Sequence, residues 1–166
     1  RKPIKTYSKL ESKIEDVINF IKKEIRLGNQ IFWVCPLIEE SKKIDHSSAI
    51  KKSEYLKKLF PHQVYLLHGK TTLDEKDRIL NKFLKNEFKI LVSTTIIEVG
   101  IDFPNANVIV IENANKFGLS QLHQLRGRVG RGDKESTCIL MFKSNLSDNA
   151  KKRINILKDS NDGFKI

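Results

Sequence analysis

Cysteine is scarce in this 166-residue chain. Only Cys35 and Cys138 occur, each inside a hydrophobic run. Neither has a Cys or His at ligand spacing, which leaves a disulfide framework and a structural metal site unsupported. Two buried free thiols are expected, and they suit a reducing cytoplasm better than secretion. Long apolar runs are missing too. None approaches the roughly 20 residues of a membrane helix, and no signal-peptide core stands at the amino terminus, so a membrane is not expected as a partner. Internal repeats and low-complexity segments are also lacking. A phosphate-cradling loop is the last absence. Gly69-Lys70-Thr71 follows a strand-like run and imitates the end of G-x-x-x-x-G-K-S/T, but the position of the first glycine is occupied by Val64. A valine inside a strand cannot help form a nest of N–H groups around a triphosphate. No Asp-Glu pair follows a strand to hold magnesium. The chain is therefore not expected to bind and hydrolyse a nucleotide by itself.

What is present begins with charge. Lys and Arg number 31 against 20 Asp and Glu, a net charge of +11. Such a balance favours a polyanionic partner through counterion release from phosphates. The lysines are spread evenly, however, so a merely lysine-rich surface gives the same count. With 39% apolar residues the length fits one domain with its own core.

Periodicity supplies the elements. Ile14, Val17, Ile18, Ile21 and Ile25 recur at helical spacing over 12–26, and Gly28 stops that helix. A continuous apolar run over 30–35 ends at Pro36 and reads as a buried strand. Residues 37–48 form a polar connection, 49–60 a second helix, and 63–67 a strand ending at His68-Gly69. Thr72-Leu73-Asp74-Glu75 has the form of a capping box and opens a helix to about residue 85. Strands follow at 89–93, 107–111 and 137–142, with a helix over 118–129 between the last two and a final helix over 146–158. Residues 1–9 are polar and basic and read as a linker. Short strands alternating with helices predict an α/β fold with a mostly parallel sheet covered on both faces. Sites in such sheets form at the carboxyl ends of strands. Cys35-Pro36, His68-Gly69, Ser93-Thr94 and Glu112-Asn113 all follow strands, which predicts a single functional edge.

The stretch 90–132 carries the most unusual chemistry. It closes on Gln124-Leu125-Arg126-Gly127-Arg128-Val129-Gly130-Arg131. Arg128 and Arg131 are three apart at the end of the predicted helix and would share one face. Gly127 and Gly130 would let another surface approach closely. Guanidinium forks suit phosphate oxygens, and an arginine offered across an interface supplies roughly 4–7 kcal/mol in phosphoryl transfer, about 10³–10⁵ in rate. The same residues also fit a solvated helix end pairing with its own dipole.

Order and spacing of motifs favour the first reading. Thr94-Thr95-Ile96-Ile97-Glu98-Val99-Gly100-Ile101-Asp102 resembles motif V of superfamily 2 helicases, and Gln124 to Arg131 resembles their motif VI. Trp33-Val34-Cys35-Pro36-Leu37-Ile38-Glu39-Glu40-Ser41 and Leu66-Leu67-His68-Gly69-Lys70 resemble motifs IV and IVa. Inside the superfamily, Val34 to Ser41, Phe117 to Gln124 and Asn161 to Ile166 look like bacterial ATP-dependent DNA helicases that remodel stalled forks and Holliday junctions in recombination and repair.

The resemblance implies a RecA-like three-layer domain, P-loop NTPase-like but without its own P-loop. It would be the second motor domain of a double-stranded DNA translocase. Residues 1–10 would be the interdomain linker, 11–160 the helicase C-terminal domain, and 161–166 the start of the following segment. ATP and Mg2+ would be bound mainly by the first RecA-like motor domain of the same polypeptide. By motif position, Arg131 and Arg128 would approach the γ-phosphate, Arg131 as the finger. Gln124 would couple the nucleotide to the interface, with Gly100 and Asp102 bordering the ribose. Ser93, Thr94 and Thr95 would offer hydroxyls and N–H groups to the phosphates of branched or double-stranded DNA, beside His68 and Gly69. Lys76 stands where other members often have arginine in motif IVa. A cytoplasmic bacterial enzyme is implied, with the isolated 166 residues monomeric and inactive alone. The rivals are the motor domain of a transcription-repair coupling translocase, which has very similar motifs V and VI, and a non-catalytic nucleic-acid-binding RecA-like module.

Overall fold

The apolar runs and helical repeats become strands and helices in alternation. In order, they are β1 (Ile4–Leu10), α1 (Ile14–Arg26), β2 (Gln30–Cys35), β3 (Ile38–Glu40) and β4 (Lys43–Asp45). There follow α2 (Ser47–Leu59), β5 (Val64–Leu67), α3 (Leu73–Leu84), β6 (Ile90–Thr94) and β7 (Ala106–Ile111). The chain then forms α4 (Leu119–Arg126), β8 (Ser136–Phe142) and α5 (Asp148–Asp159). This computed structural model describes residues 4–36, 38–40, 43–45, 47–94, 103–130, 134–143 and 146–159.

Six strands form one sheet in the order β1-β8-β7-β2-β6-β5, every described pair being parallel. All six residues of β2 are buried, because successive side chains leave a strand on opposite faces and both faces are covered. Phe32 and Val34 enter one core with α3, α4 and α5, through Phe83, Leu122 and Leu157. Ile31, Trp33 and Cys35 enter the other with α1 and α2, through Ile21 and Leu56. Each large apolar side chain so buried contributes about 1.5–3 kcal/mol. Phe32, Trp33 and Phe60 are thus core residues, and both cysteines are buried free thiols, as expected. The open parallel sheet with helices on both faces is the expected RecA-like architecture.

Local signals explain the ends of two helices. Gly28 takes φ +88° after α1, the left-handed conformation that a residue without Cβ adopts without strain. Asn29 N–H then reaches back to the Glu24 carbonyl at 3.0 Å. Thr72 caps α3, its hydroxyl oxygen accepting from Glu75 N–H at 3.3 Å. The reciprocal half of the capping box is replaced by a pairing of the Glu75 carboxylate with Arg78.

Several expectations need correction. Residues 4–10 are not a linker but the edge strand β1, paired along its length with β8 from Ile4↔Ser136 to Leu10↔Phe142. Its alternation is muted because it lies at an edge: Ile4 is buried while Lys5 and Tyr7 face out. Lysines on such a strand discourage pairing with another chain. The polar connection after β2 contains the antiparallel pair β3–β4. The helix expected over 118–129 ends at Arg126, with Gly127 as its C-cap.

Candidate functional site

The carboxyl ends of β5 and β6 lie side by side, Leu67 opposite Ser93. They open into a cavity of about 220 Å³ whose lining includes His68, Gly69, Leu73, Lys76, Ser93 and Thr94. Five of the residues singled out in the sequence therefore meet in one place. His68 sits in a tight turn: its N–H donates to Thr71 Oγ1 and its Nδ1 accepts from Lys70 N–H, both at 3.0 Å. Gly69-Lys70-Thr71 is thus a local turn, consistent with rejecting it as a triphosphate loop. The Ser93 hydroxyl donates to the Thr94 carbonyl at 2.7 Å, which leaves it only lone pairs to offer a ligand. Thr94 differs. It is 1% exposed, and its Oγ1 has no hydrogen-bond partner among the described residues. A buried hydroxyl so placed costs about 1–3 kcal/mol, a cost a ligand acceptor would relieve. Thr95, Gly100 and Asp102 lie outside the described residues, as does Arg131.

Arg128 is elsewhere. Beyond the end of α4, its carbonyl accepts from Phe103 N–H at 2.8 Å, and Gly130 N–H donates to the Ala106 carbonyl at 2.9 Å. Val129 forms a parallel bridge with Phe103. These contacts tie the arginine turn to the amino end of β7, five residues below its carboxyl end, about 16 Å at the rise of a parallel strand. The residues that follow β2, β5, β6 and β7 share the carboxyl edge, as expected, whereas Arg128 lies at the other end of the sheet. A second correction concerns the helix face. Arg128 lies past the C-cap of α4, in a turn rather than on the helix expected to reach it. Gln124 is exposed on α4 itself.

Gly130 has an internal reason to be glycine. Its φ is +72°, and a Cβ there would lie 1.7 Å from Ser136 Oγ and 2.5 Å from Ser136 Cβ. It lets the arginine turn close onto β8, so the approach it permits is by the chain's own strand rather than by another surface. At Gly127 a Cβ would meet only ordinary contacts at 3.5 Å.

Arg126 and Arg153, to which the sequence reading gave no role, tie α4 and the turn before it to α5, and Glu112 anchors the strand end that leads there. Arg126 is 1% exposed, and its Nη1 donates to the Leu157 carbonyl near the end of α5 at 2.8 Å. Arg153 of α5 donates to the Phe117 and Asn115 carbonyls, both at 3.3 Å. Glu112, just after β7, is buried on the opposite face. It accepts from Trp33 Nε1 and Cys35 Sγ, both at 2.9 Å, and Lys52 Nζ of α2 lies 3.5 Å away. Burial, and then the Glu112 charge, push the Cys35 thiol well above its usual range. Only the position of Glu112 after a strand hinted at a role. His123, half-buried on α4, has its pKa lowered from 6.5 by burial and then by Arg126.

The described residues offer no loop to wrap a triphosphate: Val64 is buried inside β5.

The helicase conserved C-terminal domain family matches residues 12–133. The chain belongs to that family. It is 46% identical over its whole length to the ATP-dependent DNA helicase RecG of Bacillus subtilis, of which it spans 24%. A solved structure of RecG bound to a three-way DNA junction superposes with TM-score 0.83 at 43% identity, covering 99% of this chain and 21% of that one. Dbp5 of S. cerevisiae, solved with RNA and ADP BeF3, matches with TM-score 0.69 at 23% identity over 95% of this chain and 39% of that one, a likeness of fold. Within the family, the chain is a helicase C-terminal domain of the RecG type. It spans about a quarter or less of the RecG proteins it matches.

Proposed function

We propose that the chain acts as the second motor domain of an ATP-dependent DNA translocase that remodels branched double-stranded DNA, such as stalled forks and Holliday junctions, in bacterial recombination and repair. The domain takes in β1 from residue 4 and runs to residue 160, and 161–166 begin the next segment of a longer cytoplasmic protein. The observation that carries the reading is the division along the sheet: Thr94 and the cavity it lines at the carboxyl end, a fixed arginine turn at the amino end, and no phosphate cradle among the described residues. Phosphate contacts hold a strand without reading its sequence, which suits a translocase. Thr94 and Thr95 meet DNA phosphates beside His68 and Gly69, while Ser93, its proton committed to the Thr94 carbonyl, shapes the same strand end. Gln124, Arg128 and Arg131 face a nucleotide held by a first motor domain, with Gly100 and Asp102 at its ribose. Bound ATP with Mg2+ would supply the phosphoryl group and its charge. What this chain supplies is donors fixed in advance where that charge develops.

In the full-length protein, Arg131→Ala is expected to retain ATP binding and lose most DNA-stimulated hydrolysis, about 10³-fold or more. Turnover near the wild-type rate would remove Arg131 from the finger role. The isolated 166 residues are expected to be monomeric and to hydrolyse essentially no ATP; robust magnesium-dependent hydrolysis by them would contradict the divided site.

A further inference from the structure

Residues 113–118 form an elbow that crosses the end of the sheet. Glu112 lies among Trp33, Cys35 and Lys52 on the α2 face, whereas Ala114 and Phe117 are buried in the core on the other face. The reversal is made at Asn113, with φ +47° and ψ +51°, a left-handed conformation that asparagine adopts more readily than most residues. Two anchors from different layers hold the elbow. Glu112 N–H continues the strand pairing to the Val34 carbonyl at 2.9 Å while its carboxylate is held from β2 and α2. On the far side, Arg153 grips the Asn115 and Phe117 carbonyls. From this elbow α4 runs to the arginine turn, whose backbone is fixed to Phe103 and Ala106. One short helix therefore connects the end that carries Thr94 with the end that carries Arg128.

We propose that Glu112 is a positioning residue that couples the two ends: its buried carboxylate fixes the elbow from which α4 aims the arginine turn. The inference rests on the assignment of DNA to the carboxyl end and nucleotide to the arginines. A carboxylate suits the task because it accepts from Trp33 and Cys35 and faces the ammonium of Lys52 at once, stitching β2, β7 and α2 at one point. Lys52 also lies over the rings of Trp33 and Tyr55, 5.7 and 5.3 Å from their centroids, which closes the cluster from the α2 side. Energetic coupling across a domain requires a demonstrated link that both sites bias, so the test must read both ends.

The experiment uses the full-length protein and a synthetic three-way junction. Glu112→Ala is expected to lower DNA-stimulated ATP turnover about tenfold, with KM for ATP, unstimulated turnover and junction affinity all within twofold of wild type. Hydrogen exchange supplies the readout independent of turnover. Amides of Lys116 and Phe117, bonded to Asn113 and Ala114 carbonyls, should lose protection, and any change that junction binding causes at Gly127 to Gly130 in the wild type should disappear. Glu112→Gln keeps an acceptor for Trp33 or Cys35 and is expected to restore at least half of the stimulation. Should Glu112→Ala not fold, Arg153→Ala decides the matter from the exposed side, with the same signature at about threefold. Stimulation within twofold of wild type in the folded variant overturns the proposal. So does an equal loss of stimulated and unstimulated turnover, which marks a merely structural residue. Arg131→Ala in parallel separates the cases: full activity there defeats the underlying assignment, whereas full activity in the Glu112 variant defeats only the coupling.

Discussion

The two ends of the sheet solve their tasks in opposite ways. At the carboxyl end, Ser93, Thr94 and His68 continue directly from strands, and the chain leaves a buried hydroxyl without a partner. At the amino end, Arg128 arrives by a return path through α4, and its turn is bonded to Phe103 and Ala106 and packed against Ser136. Incomplete hydrogen bonding marks a place that waits for a ligand. Over-determined backbone marks a place whose geometry must already be right before the partner comes.

That contrast can be broken residue by residue. Among substitutions that leave both arginines in place, Gly130→Ala should have the largest effect. A Cβ at positive φ costs about 1–2 kcal/mol, and displacing Ser136 adds about 1–3 kcal/mol. A loss of about 2–5 kcal/mol is expected in urea unfolding, and Ser136→Gly in the same chain should recover the overlap but not the backbone cost. No loss of stability would show that the arginine turn is not locked.

Thr94→Val should do the reverse at the other end. Replacing an unsatisfied buried hydroxyl with a methyl is expected to leave stability unchanged or raise it by about 1 kcal/mol, while junction affinity of the full-length protein falls about tenfold. A drop in stability with unaltered affinity would return Thr94 to a purely structural role.

The smallest effect is the pH response of His123. Burial and Arg126 lower its pKa in the folded chain, so the unfolded chain takes up its proton first as pH falls. Its contribution is complete above the ordinary value of 6.5 and is lost as pH drops through it. His123→Gln should remove that slope from the stability profile between pH 7 and 5, and an unchanged slope would place its origin elsewhere.

How much of this was legible in the sequence depends on the kind of signal. Buried strands such as Gln30–Cys35 show as apolar runs because both faces are covered, and their limits were readable almost to the residue. Edge strand β1 was read as a linker because one side faces solvent and its lysines and serine mask the alternation. The site residues at the carboxyl end were legible because they follow strands directly. The location of Arg128 was not, since helical spacing places a residue on a face but does not say how far a helix travels back along the sheet. Gly127 ended α4 earlier than the apolar pattern suggested. Arg153 was invisible for a different reason: it is one charged residue in polar surroundings, and only contacts distant in sequence give it a role, whereas Glu112 showed only as a polar residue after a strand.

The most direct test crosses the two ends in full-length protein, measuring junction affinity and unstimulated ATP turnover in Arg128→Ala and Thr94→Val. Separate ends predict that the arginine variant loses turnover at least tenfold with junction affinity within twofold, and that the threonine variant does the opposite. If both variants lose both properties in the same proportion, the two ends are not distinct sites.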